Sequence, residues 1–352
     1  MSDIPTNSDE ANQERKNLRE VMEKSESTEV IDKDFIPHFF PTYRISRKFY
    51  PLPIIIVVIL AGLLAYATYV LAGIQIEGGY VSEEQYGATA GLINGIIFTA
   101  MAAISSFIII FIVKRKGIDV LKYIFGIIFG FITFTLTVFF GQILLFLIFY
   151  NMPETELVIT TYYISNYILL IGTGALTLLM IYKYFTSFSL LTKNIIVLYI
   201  GLLIGALFGV MMPLWTTLAI LIGISCWDIF AVKSKRGPIR NMIDLATKDK
   251  EDYELTQEEI EEKIKSGEIA YDTSKLEIGI GDLAFYSMLT SSALIITSNI
   301  IIMILTSIAI IIGTGITIQG LKRNKILPGL PISIFLGIGT MLLSWYLISL
   351  IL

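Results

Sequence analysis

Long apolar runs separated by polar loops govern what this chain can fold into. A helix needs about 20 largely apolar residues to cross the roughly 30 Å hydrocarbon core of a bilayer, and such runs occupy residues 52–74, 88–113, 123–150 and 160–182. The stretch from Asn194 to Val232, in which Asp228 is the one charged residue, is 39 residues long. As one helix, at about 1.5 Å per residue, it would reach about 58 Å, roughly twice the core thickness. It has to fold back, and Met211-Met-Pro-Leu-Trp215 offers the turn: Pro213 breaks the helical hydrogen-bond pattern and Trp215 suits an interface. The charge-free part of 278–320 divides in the same way near Ser298-Asn299, and a last span covers about 331–351. With 55% hydrophobic and 16% charged residues and a mean hydropathy of +0.73, the 352-residue chain reads as an all-α polytopic membrane protein of nine transmembrane helices.

The basic residues test that count, because Lys and Arg favour the cytoplasmic side of short loops. The N-terminal tail and the loops after spans 2, 4, 6 and 8 hold 8, 4, 2, 9 and 3 Lys plus Arg, which is all 26 in the chain. The opposite loops hold Glu77, Glu83, Glu84, Glu154 and Glu156 and no base. The partition predicts a cytoplasmic N-terminus. It also divides the chain into a polar tail (1–48), spans 1–6 (49–232), a cytoplasmic hydrophilic loop (233–277) and spans 7–9 (278–352). The tail mixes acidic and basic residues with few large apolar ones, so it is expected to be disordered, and it does not read as a signal peptide. Within the loop, Thr256-Gln-Glu-Glu259 followed by Ile260 and Ile264 predicts a capped amphipathic helix. That loop reads as a solvated connector or as a gate or regulatory segment.

The chemistry open to such a chain is narrow. One cysteine, Cys226, excludes an internal disulfide, and one histidine, His38, argues against a His-ligated metal or a Ser/His/Asp triad. Two carboxylates stand out instead. Ionisable side chains within spans are rare and costly, and so mark function; here they are Asp228 in Trp227-Asp-Ile-Phe230 and Asp282 in Gly279-Ile-Gly-Asp282. Each lies four residues inside the cytoplasmic end of its span, about 6 Å deep, on consecutive antiparallel helices. Equal depth is what a facing pair requires, although rotation about the helix axes is left open. At the same face Pro328-Gly-Leu-Pro331 disrupts the start of span 9, and irregular backbone at membrane depth is tolerated where it lines protein or water. Gly279 and Gly281 likewise loosen the start of span 7 and allow close backbone approach.

Two carboxylates within reach of one water share a proton and titrate as a coupled pair. One can then take a proton from water as it attacks an amide carbon, while the other hydrogen-bonds the developing oxyanion. No metal, cofactor or covalent intermediate is required. A transmembrane helix must be locally unwound before its amides can react, and freed backbone at Pro328–Pro331 and the adjoining loop could pair with it as an added strand.

Trp227-Asp228, Gly279-Ile-Gly-Asp282 and Pro328-Gly-Leu330, in that order on spans 6, 7 and 9, resemble the three signatures of the presenilin and signal peptide peptidase family of intramembrane aspartyl proteases. The resemblance covers essentially the whole membrane portion. It implies a presenilin-like fold, Asp228 and Asp282 as catalytic residues, and an active site and substrate contact shaped by Trp227, Gly279, Gly281, Pro328, Gly329, Leu330 and Pro331. Two residues depart from the family pattern: Trp227 stands where Tyr is usual, and Gly329 where Ala is usual. Neither departure removes a carboxylate. The presenilin-like orientation implies single-span substrates whose N-terminus is outside.

A second reading is a cation or proton transporter or leak channel that uses the same aspartates, and a third is a catalytically idle scaffold. An inverted repeat would favour the second, but no second Gly-x-Gly-Asp occurs in the first half. The implied partners are a transmembrane-helix substrate and the lipid bilayer, with no nucleic acid, and oligomerisation is left open. The composition suits a microbial protein of the cell membrane. Asn94, Gln142 and Asn166 are expected to hydrogen-bond between helices; Gly91, Gly95, Gly201 and Gly205, paired four apart, to mark close helix packing; and Cys226 and Trp227 to pack around Asp228.

Overall fold

The computed structural model describes residues 29–31, 40–117, 119–187, 189–234, 237, 269–271, 275–321 and 328–351. The chain divides into two units. In the first, Met1–His38 with Ile243–Ser274, the described residues are a parallel pair of short strands, β1 (Glu29–Ile31) and β3 (Ile269–Tyr271). The expected loop helix at 256–264 lies outside the described residues, as do most of 1–48 and of 233–277.

The second unit, Phe39–Met242 with Lys275–Leu352, is a multi-pass membrane bundle. Among the described residues nine helices are long and apolar enough to cross a bilayer. Span 1 is the α-helix Pro51–Tyr66, prolonged by a π-helical turn, Ala67–Leu71. Spans 2 to 6 are Ala88–Lys116, Val120–Phe149, Glu156–Thr186, Leu190–Met211 and Leu214–Lys233. Spans 7 to 9 are Ile280–Thr297, Ile300–Leu321 and Leu330–Ile351.

The two breaks expected in the long apolar stretches occur where local chemistry forces them. Pro213, with no N–H to donate, is the N-cap of span 6 two residues beyond the end of the preceding helix. Ser298 takes a left-handed conformation, φ 50°, between spans 7 and 8, and the Asn299 side chain caps the N–H of Ile301 at 2.9 Å.

Packing rests on glycines, because apolar helices in lipid gain little from burial and associate by close approach. A β-carbon placed on Gly205 would lie 2.3 Å from the Cβ of Ser287, and one on Gly209 2.4 Å from that of Ser291, so span 5 lies almost backbone to backbone on span 7. Gly91 and Gly95 meet Trp215 and Ala219 in the same way, joining spans 2 and 6. Asn94 donates to Thr216 Oγ1 across that interface at 3.0 Å, as expected. Two neighbours of that expectation differ: Asn166 bonds the Tyr162 carbonyl of its own helix, and Gln142 is exposed.

The start of span 7 also departs from the sequence reading. Residues 278 and 279 are not helical; they end a strand, β4 (Lys275–Gly279), which pairs antiparallel with β2 (Thr42–Ser46). Residues 42–46, assigned to a disordered tail, and 275–277, assigned to the loop, therefore belong to the membrane unit. An antiparallel partner satisfies backbone groups that neither segment could satisfy alone.

Candidate active site

Span 7 begins where β4 ends, and Asp282 is its third residue, with Gly279 as N-cap. A carboxylate at the third helical position can reach back to the N-cap N–H, and the backbone N–H of Gly279 lies beside the Asp282 carboxyl. A β-carbon on Gly279 would be 3.6 Å from Asp282 Oδ2. Asp228 lies five residues before the last residue of span 6. Its Oδ2 accepts from the Leu330 N–H at 3.2 Å, one of the donors left unpaired at the start of span 9, and the Gly329 N–H lies beside the same carboxylate.

Gly329 joins the two. A β-carbon there would be 3.2 Å from Asp282 Oδ2, while the next residue's N–H holds Asp228. The carboxylates, close enough to interact electrostatically, thus flank one turn of backbone, and three spans meet at Pro328-Gly-Leu330. Equal depth in two helices, as expected, is not how this comes about. Asp282 is about 3 Å into its helix and Asp228 about 7.5 Å from the end of its own; β4 carries the start of span 7 into register with the turn.

The other sequence-predicted residues divide. Pro328, Leu330 and Pro331 are buried on the turn. Gly281 is exposed, and the nearest outside atom to a β-carbon there would be Phe285 Cε2 at 3.9 Å. The Trp227 ring packs on Phe107 of span 2, edge-on at 5.8 Å, and on Phe230 at 5.3 Å. Cys226, expected to pack beside Asp228, is exposed.

Two further groups were not anticipated. Tyr286, one helical turn beyond Asp282 and buried, donates to Ser333 Oγ at 3.3 Å and meets the Gly329 carbonyl at 3.5 Å, while Thr314 and Ser333 bond each other at 3.0 Å. Spans 7, 8 and 9 are thereby tied behind the turn. The second is the segment before span 1. The Ile280 N–H donates to the Pro41 carbonyl at 3.0 Å, Tyr184 to the Phe40 carbonyl at 2.9 Å, and Arg44 pairs with Glu277 at 2.9 Å. Arg47 donates to the Ile318 carbonyl near the end of span 8. The alternation in Thr42-Tyr-Arg-Ile-Ser46 and Lys275-Leu-Glu-Ile-Gly279, with opposite charges at their centres, was readable as a strand signal. Their pairing, with 235 positions between Thr42 and Glu277, was not.

A family model described as Presenilin matches residues 54–256 and 246–352. Presenilin-B of Dictyostelium discoideum is 35% identical over 133 residues, which is 36% of this chain and 25% of that protein. The chain thus aligns with a quarter of that relative's length. A presenilin-like protein of Arabidopsis thaliana is 24% identical over 315 residues, 70% of this chain and 76% of that protein. Two crystal forms, C222 and P2, of a protein described as a presenilin family intramembrane aspartate protease superpose with a TM-score of 0.51 at 15% identity. They cover 84% of this chain and 97% and 96% of their own, and at that identity the likeness is one of fold.

Proposed function

The chain belongs to the presenilin family, and from that premise we propose that it is an intramembrane aspartyl protease whose catalytic residues are Asp228 and Asp282. The observation that carries this reading is the convergence of both carboxylates on Gly329 and Leu330. Two acidic groups from different helices, held against one backbone turn, leave their remaining oxygens to a water and a scissile carbonyl.

In this mechanism the pair carries one proton between them. The ionised carboxylate takes a proton from water as the water oxygen bonds to the amide carbon, and the protonated one hydrogen-bonds the carbonyl oxygen as charge builds on it. The tetrahedral intermediate collapses with C–N cleavage, its nitrogen leaving as an amine with the proton the first aspartate gained. Gly279, Gly329 and Leu330 fix the two carboxyl groups, and Pro328 and Pro331 hold the turn. β4, ending three residues before Asp282, offers the unwound substrate helix a ladder to join. The substrates are single-span proteins with the N-terminus outside. The N-terminus and loop 233–277 face the cytoplasm of a cell-membrane protein, consistent with the distribution of all 26 basic residues.

The test is cleavage of a single-span reporter by purified, detergent-solubilised protein, comparing wild type with Asp228→Ala and Asp282→Ala. Cleavage lost in either variant supports the pair; cleavage retained in both belongs to a contaminant. If wild type is inert and ion flux in liposomes needs the same aspartates, the transporter reading replaces this one.

A further inference from the structure

The β2–β4 ladder has a definite hydrogen-bond phase. Thr42 pairs with Gly279 and Ser46 with Lys275, and the Ile280 N–H donates to the Pro41 carbonyl. Hydrogen-bonded pairs alternate along an antiparallel ladder, so Tyr43 with Ile278 and Ile45 with Leu276 exchange bonds. The backbone of Arg44 is therefore turned to the far edge of β2.

At that edge stands Asn194, near the start of span 5. Its Oδ1 accepts from the Arg44 N–H at 2.9 Å, and its Nδ2 donates to the Arg44 carbonyl at 2.7 Å. One side-chain amide thus makes both bonds that a third strand would make to this residue. A terminal amide matches a peptide group in its donor and acceptor, which no carboxylate, ammonium or hydroxyl of similar length does with one planar group. Asn194 sits on the helix whose Gly201, Gly205 and Gly209 pack against span 7, so the amide is anchored to the frame that carries Asp282.

We propose that Asn194 is a positioning residue for cleavage, seating β2 so that β2 holds β4, and β4 holds the Gly279 cap of Asp282. The relay has four steps, each on a contact already described: Asn194 to Arg44, Arg44's strand to β4, β4 to Gly279, and Gly279 to the carboxylate. It rests on the protease reading and names a residue outside the two aspartates and the Pro-Gly-Leu turn. Without the amide the β2 edge must find water or frays, and the start of span 7 loses the partner that keeps it extended.

The experiment compares wild type, Asn194→Ala and Tyr199→Phe on the single-span reporter, measuring kcat and KM separately, with amide hydrogen exchange on the same preparations. Tyr199 lies on the same helix and shares a 2.7 Å hydrogen bond with Thr137, away from the strands; its substitution controls for general loosening of span 5. Misplacing a catalytic group lowers kcat. For Asn194→Ala kcat is expected to fall about ten- to a hundredfold, with a smaller rise in KM because β4 also offers the substrate its ladder. Exchange at Tyr43, Ile45, Leu276 and Ile278 should quicken in that variant and not in Tyr199→Phe. Should the Ala variant not be recovered folded, Asn194→Asp decides: it keeps the acceptor for the Arg44 N–H and loses the donor, so its kcat should lie between wild type and a tenth of it. Wild-type kcat in a folded Asn194 variant, or an equal loss of kcat in Tyr199→Phe, overturns the inference while leaving the protease reading intact. An inert wild type overturns both.

Discussion

The two aspartates sit in unlike surroundings. Span 7, which carries Asp282, is the most buried of the nine: two thirds of its most apolar window is inside the bundle, against 39% for span 6, which carries Asp228. At its start it is held by the β4 ladder, by the Pro41 carbonyl and by Gly279, and along its length by span 5. The end of span 6 is held more lightly. Cys226 is exposed, Trp227 lies against the span 2 ring Phe107, and Asp228 itself takes the N–H of Leu330. One carboxylate is built into the frame, and the other rests on the turn that leads into span 9. A site of this kind can be tightly specified on one side and still admit a substrate from the other.

The largest effect expected treats the two regions alike. Asp228→Ala and Asp282→Ala should each lower reporter cleavage by about a thousandfold or more, since in the proposed mechanism each removes one member of an acid–base pair. Wild-type cleavage should be bell-shaped in pH, as a one-proton pair requires, and a monotonic profile would break the pairing. Next, Gly205→Leu should destabilise the protein by about 3 kcal/mol or prevent folding, because its side chain would run into the Ser287 side chain and the Ala284 carbonyl. Cys226→Leu on span 6 should stay within about 0.5 kcal/mol in the same thermal measurement. Equal losses would erase the contrast between the two helices.

Smaller changes sharpen it. Tyr286→Phe should cost about 1 kcal/mol of thermal stability, the bond to Ser333 being lost while Ser333 and Thr314 still satisfy each other. Gly329→Ala restores the family's residue and asks Asp282 Oδ2 to yield a few tenths of an ångström; kcat should move by about twofold at most if that carboxylate has slack, and much more if its frame is rigid. The smallest is Arg44→Gln, which removes a half-buried ion pair with Glu277 and should shift stability by no more than about 1 kcal/mol, less in high salt.

Much of this was legible beforehand where a residue's consequence is local. Pro213 and Ser298-Asn299 end helices by their own backbone chemistry, so both breaks fell where expected. Of the four glycines singled out by spacing, Gly91, Gly95 and Gly205 do mark close helix contacts, while a β-carbon on Gly201 would meet Leu283 Cβ only at 3.4 Å. The residues misread are those whose role depends on a partner elsewhere. Thr42–Ser46 looked like tail because nothing within ten residues could pair with it, and Ile278-Gly279 looked helical because the apolar run beyond them is. Asn166 and Gln142 looked like interhelical groups for want of knowing which way their helices face.

Taken alone, the sequence determined nine apolar helices, their breaks and the two intramembrane carboxylates, because bilayer thickness and the cost of a buried charge act on each segment separately. Tertiary structure decided the rotation of spans 6 and 7, the seating of the Pro-Gly-Leu turn between Asp228 and Asp282, and the recruitment of residues 40–46 to the start of span 7. Those depend on which helices approach closely and which distant strand satisfies an exposed backbone edge, and neither is a property of any one stretch of chain.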